Sequence, residues 1–294
     1  MNTSKCNEAS RLHIFIRVLG TTAVMFLMLV SIADCVSFAA IPNLGSNNVS
    51  NLNKSDEAIK AYDKAIEINP HNSTAWDNKG KILGQLGKYD EAIKVYDKAI
   101  EINPQDSKAW NNKGLALYKL NKFDEAIKAF DKAIEFNPQY SKAWYSKGIV
   151  LYKSNKFNEA ITAYDKAIEI NPQNSDAWYN KAVTLNDLNK YEEALKAYDK
   201  AIETNPQNMY VWTNKGATLG QLGKSDEAIK AYDKAIETNP LNSVAWYNKA
   251  VTLDNLNKSD EAIKAYDKRF KLPPTQKPGT IKVLYLNGLN KSSL

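Results

Sequence analysis

Adjacent carboxylates are the side chains here best suited to chemistry. Asp90-Glu91 and Asp124-Glu125 are pairs of the kind that carry general acid and base catalysis. The pairs recur along the chain at the start of apolar-periodic segments, where acidic residues favour the N-terminal end of a helix dipole. Copies of one carboxylate pair spread over many segments read as architecture rather than as a single active site. The remaining reactive types are scarce. His13 and His71 are the only histidines, and His71 follows a proline among polar residues. Both cysteines, Cys6 and Cys35, lie in the first forty residues. No nucleophile, base and metal set converges, so the expectation is a chain that is not an enzyme and needs no cofactor or metal.

The elements that position these residues start after a distinct leader. Lys5, Arg11 and Arg17 precede an uncharged run from Val18 to Ala33, and Ser37-Phe38-Ala39-Ala40 offers a small-x-small cleavage site. The run is shorter than the roughly 20 apolar residues a helix needs to cross a bilayer. Residues 1–40 are therefore expected to be a cleaved signal peptide, with an uncleaved membrane anchor second and lipid modification at Cys35 third. An exported chain would be extracytoplasmic or held at the cell envelope. There Asn48-Val49-Ser50, Asn72-Ser73-Thr74 and Asn257-Lys258-Ser259 match the weak glycan-acceptor pattern. Net charge is +6, but Arg11, Arg17 and Arg269 are the only arginines. A Lys-dominated surface lacks the bidentate donors that nucleic-acid recognition favours, so no nucleic-acid partner is expected.

Self-similarity organises the rest. Trp stands at 76, 110, 144, 178, 212 and 246, each 34 residues after the last. Ala92, Ala126, Ala160, Ala194, Ala228 and Ala262 keep the same interval, as do Pro104, Pro138, Pro172, Pro206, Pro240 and Pro274. Within residues 107–140, Ala109, Trp110, Gly114, Leu117 and Leu120 have helical spacing. After Asn121-Lys122, so do Phe123, Ala126, Ile127, Phe130, Ala133 and Ile134. Each unit therefore reads as two amphipathic helices. Ser107 is placed to cap the first, and Asn137-Pro138 stops the second. Small Gly114 and Ala126 permit close helix approach, and bulky Trp110 and Phe130 fill the space between units.

The pattern A-W-x-N-K-G-x-x-L-x-x-L-x-K-x-D-E-A-I-K-A-Y-D-K-A-I-E-x-N-P resembles the tetratricopeptide repeat. The resemblance implies an all-α, right-handed superhelical solenoid of stacked antiparallel helix pairs. A half unit at 53–72 leads units near 73–106, 107–140, 141–174, 175–208, 209–242 and 243–276. Residues 41–52, rich in Asn, Ser and Gly, read as a linker. The tail 277–294 leaves the repeat, and Ile281, Leu284 and Tyr285 fit one capping turn while Ile281, Val283 and Tyr285 fit a strand equally well. Ala182 and Ala250 replace the glycine of Gly80, Gly114, Gly148 and Gly216. Arg269 replaces the packing alanine of Ala99, Ala133, Ala167, Ala201 and Ala235, so the last helix is expected to end the stack and face solvent.

In similar proteins the inner surface, lined by first helices, receives extended peptides or partner helices. The resemblance makes the Asn ladder Asn78, Asn112, Asn180, Asn214 and Asn248, with Ser146 in one unit, a candidate reader of peptide backbone. Plain solvation of the helix face is the equal alternative. Lys108 and Lys142 stand near the groove entrance, and Tyr145, Tyr179 and Tyr247 flank a floor of Leu115, Ile149, Val183, Ala217 and Val251. That apolar floor speaks against the Lys-Asn carboxylate clamp some relatives use. The ladder Lys79, Lys113, Lys147, Lys181, Lys215 and Lys249 is expected to pack its stems between units and expose its ammonium groups, rather than pair with acids or hold an acidic ligand. The functional expectation is a protein-protein interaction scaffold taking a peptide or helix of unknown identity. A self-assembling structural component of the envelope is the alternative.

Overall fold

The computed structural model describes residues 48–270, with side chains from Lys54 to Arg269. The expected leader, with its cleavage and lipid options, most of the linker and the tail 277–294 lie outside the described residues. The compact unit beginning at Ser55 holds the packing described below. Thirteen helices and no strand occur among the described residues. They are α1 (Asn48–Ile68), α2 (Ser73–Gln85), α3 (Tyr89–Ile102), α4 (Ser107–Lys119), α5 (Phe123–Phe136), α6 (Ser141–Lys153), α7 (Phe157–Ile170), α8 (Ser175–Asp187), α9 (Tyr191–Thr204), α10 (Met209–Gln221), α11 (Ser225–Thr238), α12 (Ser243–Asn255) and α13 (Ser259–Phe270). None of them is long and apolar enough to cross a membrane. Helix α1 opens inside the stretch read as linker. Asn48 to Asn53 contains no Gly or Pro, so a helix established over the following amphipathic segment propagates backwards at little cost.

From α2 to α13 neighbouring helices pack pairwise, and the first helices α2, α4, α6, α8 and α10 each also touch the first helix of the next unit, the series ending at α12. Inside a unit the closest approach is a small residue against an aromatic ring. A Cβ added at Gly80, Gly114, Gly148 or Gly216 would lie 2.5–2.7 Å from the ring of Tyr96, Phe130, Tyr164 or Tyr232. In the fourth and sixth units Ala182 and Ala250 occupy that place, so the rings of Tyr198 and Tyr266 must lie further off. The alanine ladder completes the contact: Ala92, Ala126, Ala160, Ala194 and Ala228 are fully buried.

Short turns fix the antiparallel pairing. The chain reverses through a left-handed residue, Gly87 and Gly223 at φ 76° and 72° and Asn121, Asn155, Asn189 and Asn257 at 57–59°. These are the two residue types that adopt this conformation at least cost. The following lysine N–H then returns to a carbonyl in the first helix, Lys122 to Leu117 at 3.0 Å. Between units the residue before proline is extended, Asn137 at φ −140° and ψ 88°. That is the conformation proline imposes on its predecessor.

One local expectation is corrected. The cap of the first helix is the residue before the serine: Asp106 Oδ1 accepts the N–H groups of Lys108 and Ala109. Asn72, Asn174, Asn208 and Asn242 cap their helices in the same way. The serine is already helical. Ser141 and Ser175 instead donate across the unit to the carbonyls of Ala167 and Ala201. In the last helix, most residues of which are exposed, the Arg269 guanidinium lies 5.3 Å from the Tyr247 ring centroid.

The ring lies on glycine in four of the six units and is central to their packing. Phe130→Ala, which empties a fully buried site, is expected to lower local stability by about 3–5 kcal/mol. Amide hydrogen exchange of α4 and α5 measures it, and unchanged protection there would contradict the packing described.

Candidate functional site

The side chains singled out above fall into two sets, one that joins units and one that lines the open face of the first helices. The Lys ladder belongs to the first set. In all six units the ammonium Nζ lies 2.5–2.6 Å from an aspartate of the preceding unit: Lys79–Asp63, Lys113–Asp97, Lys147–Asp131, Lys181–Asp165, Lys215–Asp199 and Lys249–Asp233. Each ammonium also sits 5.3–5.9 Å from the centroid of its own unit's tryptophan. The expectation of exposed ammonium heads is therefore wrong. The stem does pack, but the head lies between a carboxylate and an indole face, both of which attract it. The tryptophan is tied in turn, its Nε1–H donating to the proline carbonyl six residues earlier at 2.9–3.0 Å. With the aspartates about half exposed, each ion pair is worth no more than about 1 kcal/mol. The repeated geometry matters more, since it fixes how each unit sits on the last.

Most of the Asn ladder also joins units. Asn112 Nδ2 donates to Asp77 at 2.9 Å, Asn180 to the Tyr145 hydroxyl at 2.9 Å, and Asn214 to the Tyr179 hydroxyl at 2.8 Å. This role is neither of the two anticipated for the amides. Asn214 is buried, and Asn78 accepts from Lys81 at 3.1 Å. At Asn248 the matching earlier residue is Thr213, whose hydroxyl donates to the Met209 carbonyl and accepts from Asn242. The Asn248 side chain donates no hydrogen bond to that hydroxyl.

The tyrosines lie between the two sets. Tyr145, Tyr179 and Tyr247 pack on Tyr164, Tyr198 and Tyr266, with ring centroids 5.9–6.3 Å apart. Tyr179 is buried, while Tyr145 and Tyr247 are half-buried. Burial, helped by the charge of Asp176, pushes the Tyr145 phenol up to about 12, against the hydrogen bond from Asn180. The phenols of Tyr145 and Tyr179 act as packing and hydrogen-bonding groups.

The open face is a stripe at i, i+7 and i+11 of each first helix, positions that share one side. On α4 these are Lys108, Leu115 and Lys119, and on α6 Lys142, Ile149 and Lys153. All four lysines are exposed, and Leu115 and Ile149 are half-buried. On α8 the same positions carry exposed Asp176 and half-buried Asp187, but Val183 between them is buried in the core and offers no open floor. Asp187 accepts from the Tyr152 hydroxyl of the preceding unit at 2.6 Å. Burial raises its pKa above the ordinary carboxylate value, and that hydrogen bond partly offsets the rise. Tyr210, at the start of α10, and Leu241, in the turn after α11, add exposed apolar surface in the fifth unit. The Asp-Glu pairs lie elsewhere, exposed in the first turns of second helices such as α3 and α5. No cluster able to hold a metal ion occurs among the described residues.

Sequence reasoning missed a polar cluster at the N-terminal end of this face. Asp77 is 5 % exposed and pairs with Lys81 Nζ at 2.6 Å. Burial first, then the charges of Asp77 and Asp106, hold the Tyr140 phenol above its ordinary range. Asn111 is fully buried, with neither end of its amide bonded to the protein. The one signal in the sequence is that Asp77 and Asn111 stand where later units place Tyr145, Tyr179 and Tyr247. A buried amide without partners costs about 1–3 kcal/mol. Asn111→Leu, close in volume, is thus expected to raise stability by an amount in that range, read from a denaturant midpoint. A drop would show that the amide is satisfied after all.

Comparison with known proteins accords with this geometry. No curated protein matches the chain. Three family models, each described as tetratricopeptide repeat, do match it: one at residues 50–107, 78–141 and 145–208, a second at 231–264 and a third at 210–242. Among solved structures, YrrB, described as a TPR protein with an unusual peptide-binding site, is 25% identical with a TM-score of 0.55, over 65% of this chain and 98% of its own. A MamA structure is 26% identical with a TM-score of 0.50, over 57% of this chain and 97% of its own. MamA from Desulfovibrio magneticus RS-1 shares the fold at 20% identity and a TM-score of 0.54, over 58% and 96%. With family models spanning well over half its length, the chain belongs to the tetratricopeptide-repeat family.

Proposed function

We propose that this protein is an interaction scaffold which holds an extended peptide, or one face of a partner helix, along the stripe formed by its first helices. The observation that carries the reading is the division of labour among repeated side chains. The Lys-Asp-Trp contacts and the amides of Asn112, Asn180 and Asn214 are spent within the stack. Half-buried Leu115, Ile149, Val251, Tyr145 and Tyr247 and exposed Tyr210 remain on the first-helix face. Side-by-side helices with partly exposed apolar residues at matching positions suit alternate side chains of a bound segment. YrrB, the 25% identical structure with a peptide-binding site, supports the same reading.

The residues assigned to binding differ from the Asn ladder. The floor at Leu115 and Ile149, flanked by Lys108, Lys142 and Tyr145, supplies the contacts, and the amides hold the helices at the spacing that creates them. Panning a library of random displayed peptides against the full chain tests this. Peptides are expected to be enriched, and Leu115→Glu/Ile149→Glu is expected to weaken their binding at least about tenfold, as loss of a central apolar contact does, with helical circular dichroism retained. No enrichment, or enriched peptides indifferent to that variant, would overturn the proposal.

A further inference from the structure

The charge on the first-helix face is segregated once the pairs that join units are set aside. Helix α4 carries Lys108, Lys113 and Lys119, and α6 carries Lys142, Lys147 and Lys153, with no acid in either. Lys113 and Lys147 are committed to Asp97 and Asp131. The other four form no ion pair among the described residues. They stand at matching positions of neighbouring units, two at the helix starts and two at the ends, around Leu115 and Ile149. Lys119 lies 5.8 Å from the Tyr118 ring, and the acid nearest Lys108 in sequence, Asp106, spends one oxygen on the N–H groups of the α4 cap. On the following first helix the sign reverses. Helix α8 has Asp176 and Asp187, and its lysine, Lys181, is paired with Asp165. Helix α10 carries only the paired Lys215, and in α2 Lys81 is matched to Asp77.

Resting on the reading of this face as the binding surface, we infer that the second and third units select an acidic peptide segment. Its carboxylates pair with Lys108, Lys119, Lys142 and Lys153, and its apolar residues meet Leu115 and Ile149. Adjacent packed helices lie about 8–10 Å apart, and an extended chain advances about 3.3–3.6 Å per residue. One unit therefore spans about three residues of ligand, and acids spaced by three place one carboxylate on each basic helix. The carboxylates of α8 repel a continuation of the same sign, which limits the acidic stretch and favours a neutral or basic residue beyond it. A uniformly anionic polymer such as a nucleic acid meets that repulsion at once. Lysine point charges around an apolar floor also lack the bidentate and stacking contacts such a polymer prefers.

The test uses the full chain and three fluorescent probe peptides of the same length, built from repeated Glu-Leu-Ser, Gln-Leu-Ser or Lys-Leu-Ser, with binding read by anisotropy. The Glu peptide is expected to bind at least about tenfold more tightly than the Gln peptide at low salt, with the difference shrinking as salt rises. Lys108→Gln/Lys119→Gln/Lys142→Gln/Lys153→Gln should abolish the preference. The four corresponding Lys→Arg changes should preserve it, as should Lys94→Gln/Lys128→Gln on the second helices. The Arg variant keeps the test decisive if the Gln variant folds poorly. Equal binding of the Glu and Gln peptides, both lost in Leu115→Glu/Ile149→Glu, would overturn the acidic selection while leaving the binding face intact. Tighter binding of the Lys peptide, of a single-stranded oligonucleotide, or of none of the probes would also overturn it, whereas the panning experiment decides the face itself.

Discussion

Every feature of this chain depends on one close contact, an aromatic ring of the second helix laid on a residue of the first that has little or no side chain. Glycine at 80, 114, 148 and 216 leaves room for the rings of Tyr96, Phe130, Tyr164 and Tyr232, and a methyl group there would approach them to 2.5–2.7 Å. That approach sets the separation of the pair and buries the alanine ladder. It also directs the first helices together, so that each touches the next. A single unit has no second layer to cover its outer faces, which makes the array, not the unit, the stable object.

Stacking then decides which polar groups are left for a partner. A lysine repeated at every unit looks from its frequency like a ligand-binding ladder. Instead it is held between the aspartate of the preceding unit and its own tryptophan, and the tryptophan is anchored by the proline carbonyl. The amides of Asn112, Asn180 and Asn214 reach back in the same way. The most regular polar residues therefore serve the repeat, and the irregular ones distinguish one unit from another. Lys108, Lys142, Asp176 and Tyr210 share one position in successive units and differ in charge and character. A partner that reads this array reads those differences.

This division explains what the sequence made legible. The helix pairs, their length and their order follow from the Trp, Ala and Pro ladders, because a fixed interval reports the repeat directly. Asp97, Asp131, Asp165, Asp199, Asp233 and Asp267 recur as regularly as the Lys ladder and are the acids the sequence offers it. Pairing itself was not legible, since a long lysine in the middle of a helix reaches solvent or a neighbouring unit with equal ease in one dimension. The bonds of Asn112, Asn180 and Asn214 to the preceding unit were hidden for the same reason: their position borders the open stripe, and only the placement of that unit shows where the amide points. Asp106 and Ser107 are both good capping residues, so the true cap emerged from the backbone alone. Asn111 gave one sign, its place where later units carry Tyr145, Tyr179 and Tyr247, but an asparagine beside the repeated Asn112 does not show that it is buried without a partner.

The account places the partner on the first helices and nowhere else, and site-specific photocrosslinking of a panned peptide tests this most directly. Full chains carrying a photoreactive phenylalanine analogue in place of Leu115 or Ile149 on the first helices, or of Lys94 or Lys128 on the second, would be irradiated with the peptide bound. Adducts at 115 and 149 with none at 94 and 128 are the predicted result. Adducts at 94 or 128, with 115 and 149 silent, would contradict the account and move binding to the opposite face.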